Sequence, residues 1–408
     1  MFDRILVPAE FREALSDRAW LQAMLDAERA LAAAEARAGV ISPEAAEAIA
    51  AACEWERFDP AELGEEGRAP GNPVEPLVRA LTAVVEGDAA RYVHWGATSQ
   101  DILDTAAMLI ARHALDLLLE RLAEVARECA GLAEAHRDTP MAARTLLQQA
   151  VPTTFGLKAA GWLAGLLEAR RVLHRARGNL AAQLGGAAGT LAPLGDAGAE
   201  VSRLFAEELG LREAVVPWHT NRVRVSELGA ALAIAAGVFA KIGLDIALLA
   251  QTEVAEVAEA EAGASSTMPQ KRNPVGSALA IACARQVQGH ASVLIAALPQ
   301  EHERAIGGWH SEWPSLSAAF AYTGGAADAA FRALDGLEVD PERMRANLGR
   351  AVMAEQATFA LAEQVGRREA HDRIAREGVP DDLDPTSYLG SAETFVDRAL
   401  TAYRSELG

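Results

Sequence analysis

Apolar residues recur at alternating steps of three and four in three separate runs through the middle of the chain. The first is Met108, Ala111, Leu115, Leu118, Leu122, Val125, Cys129 and Leu132, with Asp104 placed to cap it and His136, Arg137 and Asp138 leading into Pro140 at its end. The second is Phe155, Ala159, Trp162, Leu166, Ala169, Leu173, Ala176 and Leu180, running to the Gly185-Gly186 turn. The third is Leu228, Leu232, Ala235, Phe239, Ile242, Ile246 and Leu249. This spacing puts each set on one helical face, and over so many turns it predicts long helices packed at small crossing angles. Such helices expect more cover than one chain supplies, so the seams predict a homo-oligomer, with an extended monomeric bundle as the alternative. Glu253 and Glu256 fall where the third seam would continue. A carboxylate in a dry seam is costly unless paired, so this end is expected to leave the core for solvent, or else to line a water-filled cleft.

The class predicted is all-α, with three helical regions: 1–103, a central long-helix bundle over 104–338, and 339–408. Pro60, the glycines between 64 and 71, Pro73 and Pro76 interrupt any long helix in the first region. Alternating β periodicity is scarce, and no internal repeat or low-complexity linker is visible.

Composition narrows the function classes. The 408 residues are 50% hydrophobic, enough for a sizeable core. A formal charge of -19 argues against nucleic acid or an anionic membrane as partner, because the summed field repels phosphate. Any anionic substrate therefore needs a locally basic pocket. Cys53, Cys129 and Cys283 give neither a disulfide framework nor a zinc spacing, which favours a reducing cytoplasm. The residues from Met1 to Phe11 carry Asp3, Arg4 and Glu10 where a signal peptide would be apolar. The most apolar stretch, from Leu228 to Ala240, meets Lys241 too early to span a bilayer.

Candidate chemistry gathers in three polar runs. Residues 263 to 273 read GASSTMPQKRN, placing two hydroxyls (Ser265 and Ser266), Met268, a movable cation (Lys271) and a neutral donor (Asn273) behind a glycine. That is the equipment of an oxyanion-binding loop; the plain alternative is a polar turn between helices. A second run, His94-Trp95-Gly96-Ala97-Thr98-Ser99-Gln100-Asp101, precedes the first long helix, where backbone donors attract anions. The third, from Arg144 through Thr145, Leu146 and Gln148 to Thr153, precedes the second. No Walker, dinucleotide or metal-ligand spacing accompanies them, so neither cofactor nor metal is expected.

The order small-Ser-Ser-x-Met-Pro-x-Lys-x-Asn resembles the signature loop of the fumarase/aspartase superfamily, whose members add or eliminate groups beta to a carboxylate. Ala264 stands where many members have glycine. The runs at 94–101 and 144–148 resemble the family's two other conserved regions, and Pro217 to Arg222, Gln300 to Arg304, Trp309 to Trp313 and Gly366 to Asp372 resemble its bacterial 3-carboxy-cis,cis-muconate cycloisomerase branch. The resemblance implies Ser265 and Lys271 as catalytic groups. It implies His94, Thr98, Ser99, Gln100, Arg144, Thr145, Gln148, His219, Arg222, Ser266, Met268, Asn273 and Arg304 as binding residues for a small polycarboxylate. It also implies a homotetramer of long helices with sites shared between subunits. Leu146 departs from the family pattern, which has a proton-transferring His there in fumarases, argininosuccinate lyases and adenylosuccinate lyases. Leucine cannot exchange a proton, and a leaving group that is already a carboxylate needs no acid. That favours the branch of 3-carboxy-cis,cis-muconate cycloisomerases, intramolecular lyases of aromatic catabolism, over adenylosuccinate lyase-like elimination. It also leaves His94, His219 and His310 as alternative proton carriers. A non-catalytic scaffold on the same bundle is the reading from another class.

Overall fold

A computed structural model describes residues 1–261, 263, 268 and 270–408. Ser265 and Ser266 lie outside the described residues. Helices carry the fold. Those of more than twenty residues are α1 (Asp17–Arg37), α2 (Ser99–Ala135), α3 (Phe155–Gly178), α4 (Val223–Leu249), α5 (Val275–Ala296) and α6 (Gly308–Leu334). A hairpin of β1 (Pro140–Thr145) and β2 (Gln148–Thr154) and a short pair of β3 (Val257–Ala258) and β4 (Glu338–Val339) are the strands among the described residues.

The seams are buried, and every position but Leu180, which lies past the end of α3, is helical. Seven residues of the first, from Met108 to Cys129, are 0% exposed, and only Leu132 is half-buried. The helix begins earlier than expected, at Ser99, which places Asp104 inside it and not at its cap. Buried carboxylates inside helices are tolerated when paired, and Asp104 accepts from Arg222, Gln100 and Trp309. The third seam is correct in register, but α4 continues past Lys241 to Leu249. Its 27 residues, with a mean hydropathy of 2.0 in an 18-residue window, make it long and apolar enough to cross a membrane by length and composition alone. Lys241 is accommodated because it faces outward and pairs with Asp245 one turn on. The expected fate of the seam's acidic end divides. Glu253 is exposed, whereas Glu256 is fully buried, because Arg144 and Asn347 pair with it.

The chain forms two compact units, each drawn from three stretches, whereas the regions expected from the sequence follow chain order. Unit 1 comprises Met1–Leu119, Val172–Ile234 and Arg285–Gly324. Its core is built on α1, started by the Ser16 hydroxyl accepting from the Ala19 amide, with Leu21, Leu25 and Leu31 buried together with Ile49, Leu77, Ile102 and Phe205. Unit 2 comprises Glu120–Arg171, Ala235–Ala284 and Gly325–Gly408. There the hairpin residue Ala142 packs with Val352 and Met353.

Glu28 and Glu35 sit on the buried face of α1, in line with Leu21 and Leu25. Among the described residues neither carboxylate oxygen of Glu35 has a hydrogen-bond partner, and burial, then the charge of Glu28, push its carboxyl up to about 9. It is therefore protonated in the folded chain at neutral pH. In the unfolded chain it ionises near its ordinary value, so folding must retain a proton that unfolding releases. The cost grows as pH rises from about 4.5 to about 9 and is constant above. Glu35→Met is expected to raise the urea midpoint, with a gain about 3 kcal/mol larger at pH 7 than at pH 5. A gain independent of pH would show that Glu35 is ionised in the fold.

Candidate active site

In unit 1 the run from His94 to Asp101 forms the entry to α2. Asp101 is completely buried, yet four donors converge on it: the amides of Thr98 (3.0 Å), Gly185 (3.0 Å) and Gly186 (2.8 Å), and Nε2 of His219 (2.6 Å). The Thr98 contact closes the first turn in the manner of a capping box. The others tie a glycine loop to the helix entry. Side chains are excluded from that loop: a Cβ on Gly185 would lie 2.7 Å from Pro217 and 2.8 Å from His219, and one on Gly186 2.7 Å from the Gly96 carbonyl, at φ +68.

Gln100 is also buried and donates to Asp104 (3.1 Å) and the His219 carbonyl (2.9 Å), while its own oxygen accepts from Arg304 (2.9 Å). Arg304 reaches on to the carbonyl of Ala187 at 2.9 Å. Arg222 is 1% exposed and lies between Asp104 and Glu312. All five of its N–H groups are committed, to those two carboxylates and the His219 carbonyl, and the Trp218 ring lies 4.9 Å from its centre. Burial raises the Glu312 carboxyl above its ordinary range despite the pull of Arg222. No donor of Arg222 is left for a substrate; its geometry braces the site wall. His219 is likewise turned inward, its Nε2 spent on Asp101.

Other donors remain available. Among the described residues the hydroxyls of Thr98 and Ser99 have no hydrogen-bond partner and are half-buried at the N-terminus of α2, a position that favours anions. His94 stands at φ +59, an uncommon conformation for a side-chain-bearing residue, with Nδ1 2.6 Å from Glu28. His310 is exposed, its ring packed beside Trp309 and Trp313.

In unit 2 the signature loop stands on a narrow base. The Gly263 amide donates to the Asn273 carbonyl (3.0 Å), and the Asn273 amide (3.3 Å) and side chain (3.1 Å) donate back to Gly263. Glycine is required at 263 for space, since a Cβ there would meet Val275 at 2.3 Å. Arg272 is bound to Glu338 and the Glu259 carbonyl. Glu259 in turn caps α5 by accepting from the amides of Gly276 and Ser277 and the Ser277 hydroxyl. Lys271 is exposed, and its ammonium has no partner among the described residues. It borders a cleft of about 1160 Å³ with Gln251, Thr252, Gln270, Asn273 and Glu338. Met268 is 42% exposed.

Also in unit 2, Arg144 forms a two-pronged pair with Glu256 at 2.9 and 2.6 Å, which neutralises much of its charge. Thr145 and Gln148 flank the hairpin tip and are exposed. The tip is Leu146-Leu147, 97% and 73% exposed, at φ +50 and +64. Two-residue turns of this kind normally take Asn or Gly, and leucine there costs about 1–2 kcal/mol per residue.

Unit 1 thus assembles His94, Thr98, Ser99, Gln100, His219, Arg222 and Arg304 around one glycine loop. Unit 2 holds Arg144, Thr145, Gln148, Met268, Lys271 and Asn273. The sequence reading missed Glu28, Asp101, Asp104, Glu256 and Glu312 as partners of these groups. For Glu28 a signal existed, a carboxylate in the Leu21-Leu25 stripe; the others are paired across more than a hundred residues or lie in segments without periodicity.

Residues 7–289 match a family model described as Lyase. The chain is 45% identical to a 3-carboxy-cis,cis-muconate cycloisomerase of Bradyrhizobium diazoefficiens, over 97% of this chain and 96% of that one. It is 43% identical to a nitrosuccinate lyase of Streptomyces davaonensis, over 95% and 91%. The crystal structure of a 3-carboxy-cis,cis-muconate lactonizing enzyme from Pseudomonas putida superposes with a TM-score of 0.92 at 41% identity, covering 99% of both chains.

Proposed function

The chain belongs to the fumarase/aspartase superfamily of lyases, and from that premise we propose that it is an intramolecular lyase converting 3-carboxy-cis,cis-muconate to its lactone. Leu146 is the observation that carries the choice of cyclisation over elimination of a poor nitrogen or water leaving group. In cyclisation one carboxylate of the substrate forms a C–O bond to an alkene carbon, the π pair moves toward the carbon alpha to another carboxylate, and that carbon takes a proton. The attacking group is an anion from the start, so no acid is needed at the position Leu146 occupies. The demand falls instead on stabilising the extra charge that develops on the alpha carboxylate.

Lys271, Ser265, Ser266 and Asn273 are assigned to that charge, with Ser265 as the proton-transfer group. Thr98, Ser99, Arg304 and His94 are assigned to the remaining carboxylates. Arg144, Gln100, His219 and Arg222 are assigned to holding these groups in place, because their donors are already engaged. Thr145 and Gln148 are assigned to substrate binding from the hairpin tip, and Met268 to an apolar contact.

Two features support a homo-oligomer with shared sites. On α4 the positions Val223, Ala230, Ile234, Gly237, Leu244 and Leu248 stand exposed or half-buried at seam spacing, a second apolar stripe left partly open to solvent. The Leu146-Leu147 tip is apolar, exposed and conformationally costly, as suits a turn seated against another copy. A homotetramer active in the cytoplasm of a bacterial cell, in protocatechuate breakdown, is the setting this reading implies.

The test is optical. Purified protein with 3-carboxy-cis,cis-muconate is expected to bleach the conjugated diene absorbance, and with adenylosuccinate to produce no purine spectral change. Absence of bleaching overturns the assignment. Nitrosuccinate belongs in the same experiment: nitrite, like a carboxylate, departs as a stable anion, so Leu146 accommodates that reaction too.

A further inference from the structure

We propose that Glu28 is a positioning residue: its buried carboxylate grips the His94 ring by Nδ1 and turns Nε2–H outward as the donor for a substrate carboxylate. The inference rests on the assignment of unit 1 to substrate binding. It starts from an expense the fold has no other use for. Glu28 is 1% exposed on α1, in a stripe that is apolar apart from Glu35, and among the described residues its second oxygen has no hydrogen-bond partner. A buried, half-satisfied carboxylate is strongly unfavourable unless a partner offsets it. The partner it has is His94, at 2.6 Å. His94 in turn adopts φ +59, and strained backbone of this kind gathers where a side chain must be aimed.

The pair divides the imidazole into two ends. Nδ1 is engaged with a group that only accepts, so it carries a proton. Nε2 has no protein partner among the described residues, and the side chain keeps 16% exposure. Burial opposes charge on the ring, but the Glu28 charge and hydrogen bond, with Asp101 beyond, raise its proton affinity above the ordinary level. The titratable groups near Glu28 itself are Cys53 at the end of the neighbouring helix and Glu35 two turns along α1. Both are held protonated by burial and add no competing cation. In a chain of net charge -19, a cation placed this way is a local solution to binding a polyanion. Its hydrogen bond to a carboxylate is charge-assisted, and deprotonation at Nε2 removes that donor while Nδ1–H keeps the ring in place on Glu28.

The experiment compares wild type with Glu28→Gln, which keeps an acceptor for Nδ1–H but removes the charge. In wild type, NMR of labelled histidines is expected to show His94 titrating above the ordinary value of about 6.5. In Glu28→Gln that titration moves to lower pH. Binding of tricarballylate, a tricarboxylate with no alkene to react, is expected to weaken about tenfold at pH 8 and to recover at pH 6. The KM for 3-carboxymuconate follows the same pattern, with kcat changed by no more than about twofold. The double variant Glu28→Gln/His94→Gln should bind no worse than His94→Gln alone. A wild-type His94 that titrates at or below the ordinary value, a binding loss equal at both pH values, or a fall in kcat instead of a rise in KM overturns the proposal. The titration and the tricarballylate measurement need no turnover. Failure of the cycloisomerase assignment is therefore visible separately, as absent diene bleaching with both readouts intact.

Discussion

Ser265→Ala is expected to lower kcat for diene bleaching by about 10²–10³ with no change in helical content or assembly state. Serine is inert at its free proton affinity, so its use as a proton carrier needs donors around the alkoxide and a nearby cation. Lys271 offers that cation: it is exposed on the cleft and unpaired among the described residues, whereas the adjoining Arg272 is fixed to Glu338. The fold has little at stake in the hydroxyl, since the base of the loop is closed by backbone bonds between Gly263 and Asn273 and by the tight approach of Gly263 to Val275. Lys271→Met is the companion, expected to show a comparable loss. Turnover within about twofold of wild type in Ser265→Ala would remove Ser265 from the chemistry and leave proton transfer to a group outside the loop.

How much of this was legible in the sequence depends on whether a residue's partner is local. The seams of α2, α3 and α4 were readable because alternating steps of three and four need no knowledge of the neighbour, and the buried positions follow them. Helices α5 and α6 were not read. Gly276, Gly289, Gly324, Gly325 and many alanines dilute their periodicity, and Pro314 lies inside α6. The β1–β2 hairpin escaped for a similar reason: its turn is Leu146-Leu147, without the Asn or Gly that announces such turns. Among the candidate residues, type alone could not separate a free cation from a committed one. Arg222 and Arg304 look alike as letters, but Asp104 and Glu312, 118 and 90 residues away, take four of the five N–H groups of Arg222 and the His219 carbonyl takes the fifth. Glu256 reads as a misplaced surface charge until Arg144, 112 residues away, is set beside it.

Mixing two inactive variants is expected to restore activity. Ser265→Ala disables the loop, whose base belongs to unit 2, and Arg304→Ala disables a cation that unit 1 anchors on Gln100 and Ala187. Each protein alone should be nearly silent. After the two are unfolded together and reassembled, half of the loops and half of the Arg304 positions are intact. If each site takes these elements from different copies, about a quarter of the sites receive both and activity returns to about a quarter of wild type. If one copy supplies both, every site keeps one lesion and nothing returns. The exposed stripe of α4 makes the second arm of the test: Ile234→Glu with Leu244→Glu places carboxylates in an apolar interface, where unpaired charge is strongly unfavourable. Those substitutions should abolish assembly, measured by light scattering, and with it the recovery, while each unit retains its own core. Activity that survives in a protein shown to be monomeric would mean that one chain completes the site unaided, and the exposed Leu146-Leu147 tip would then need another explanation.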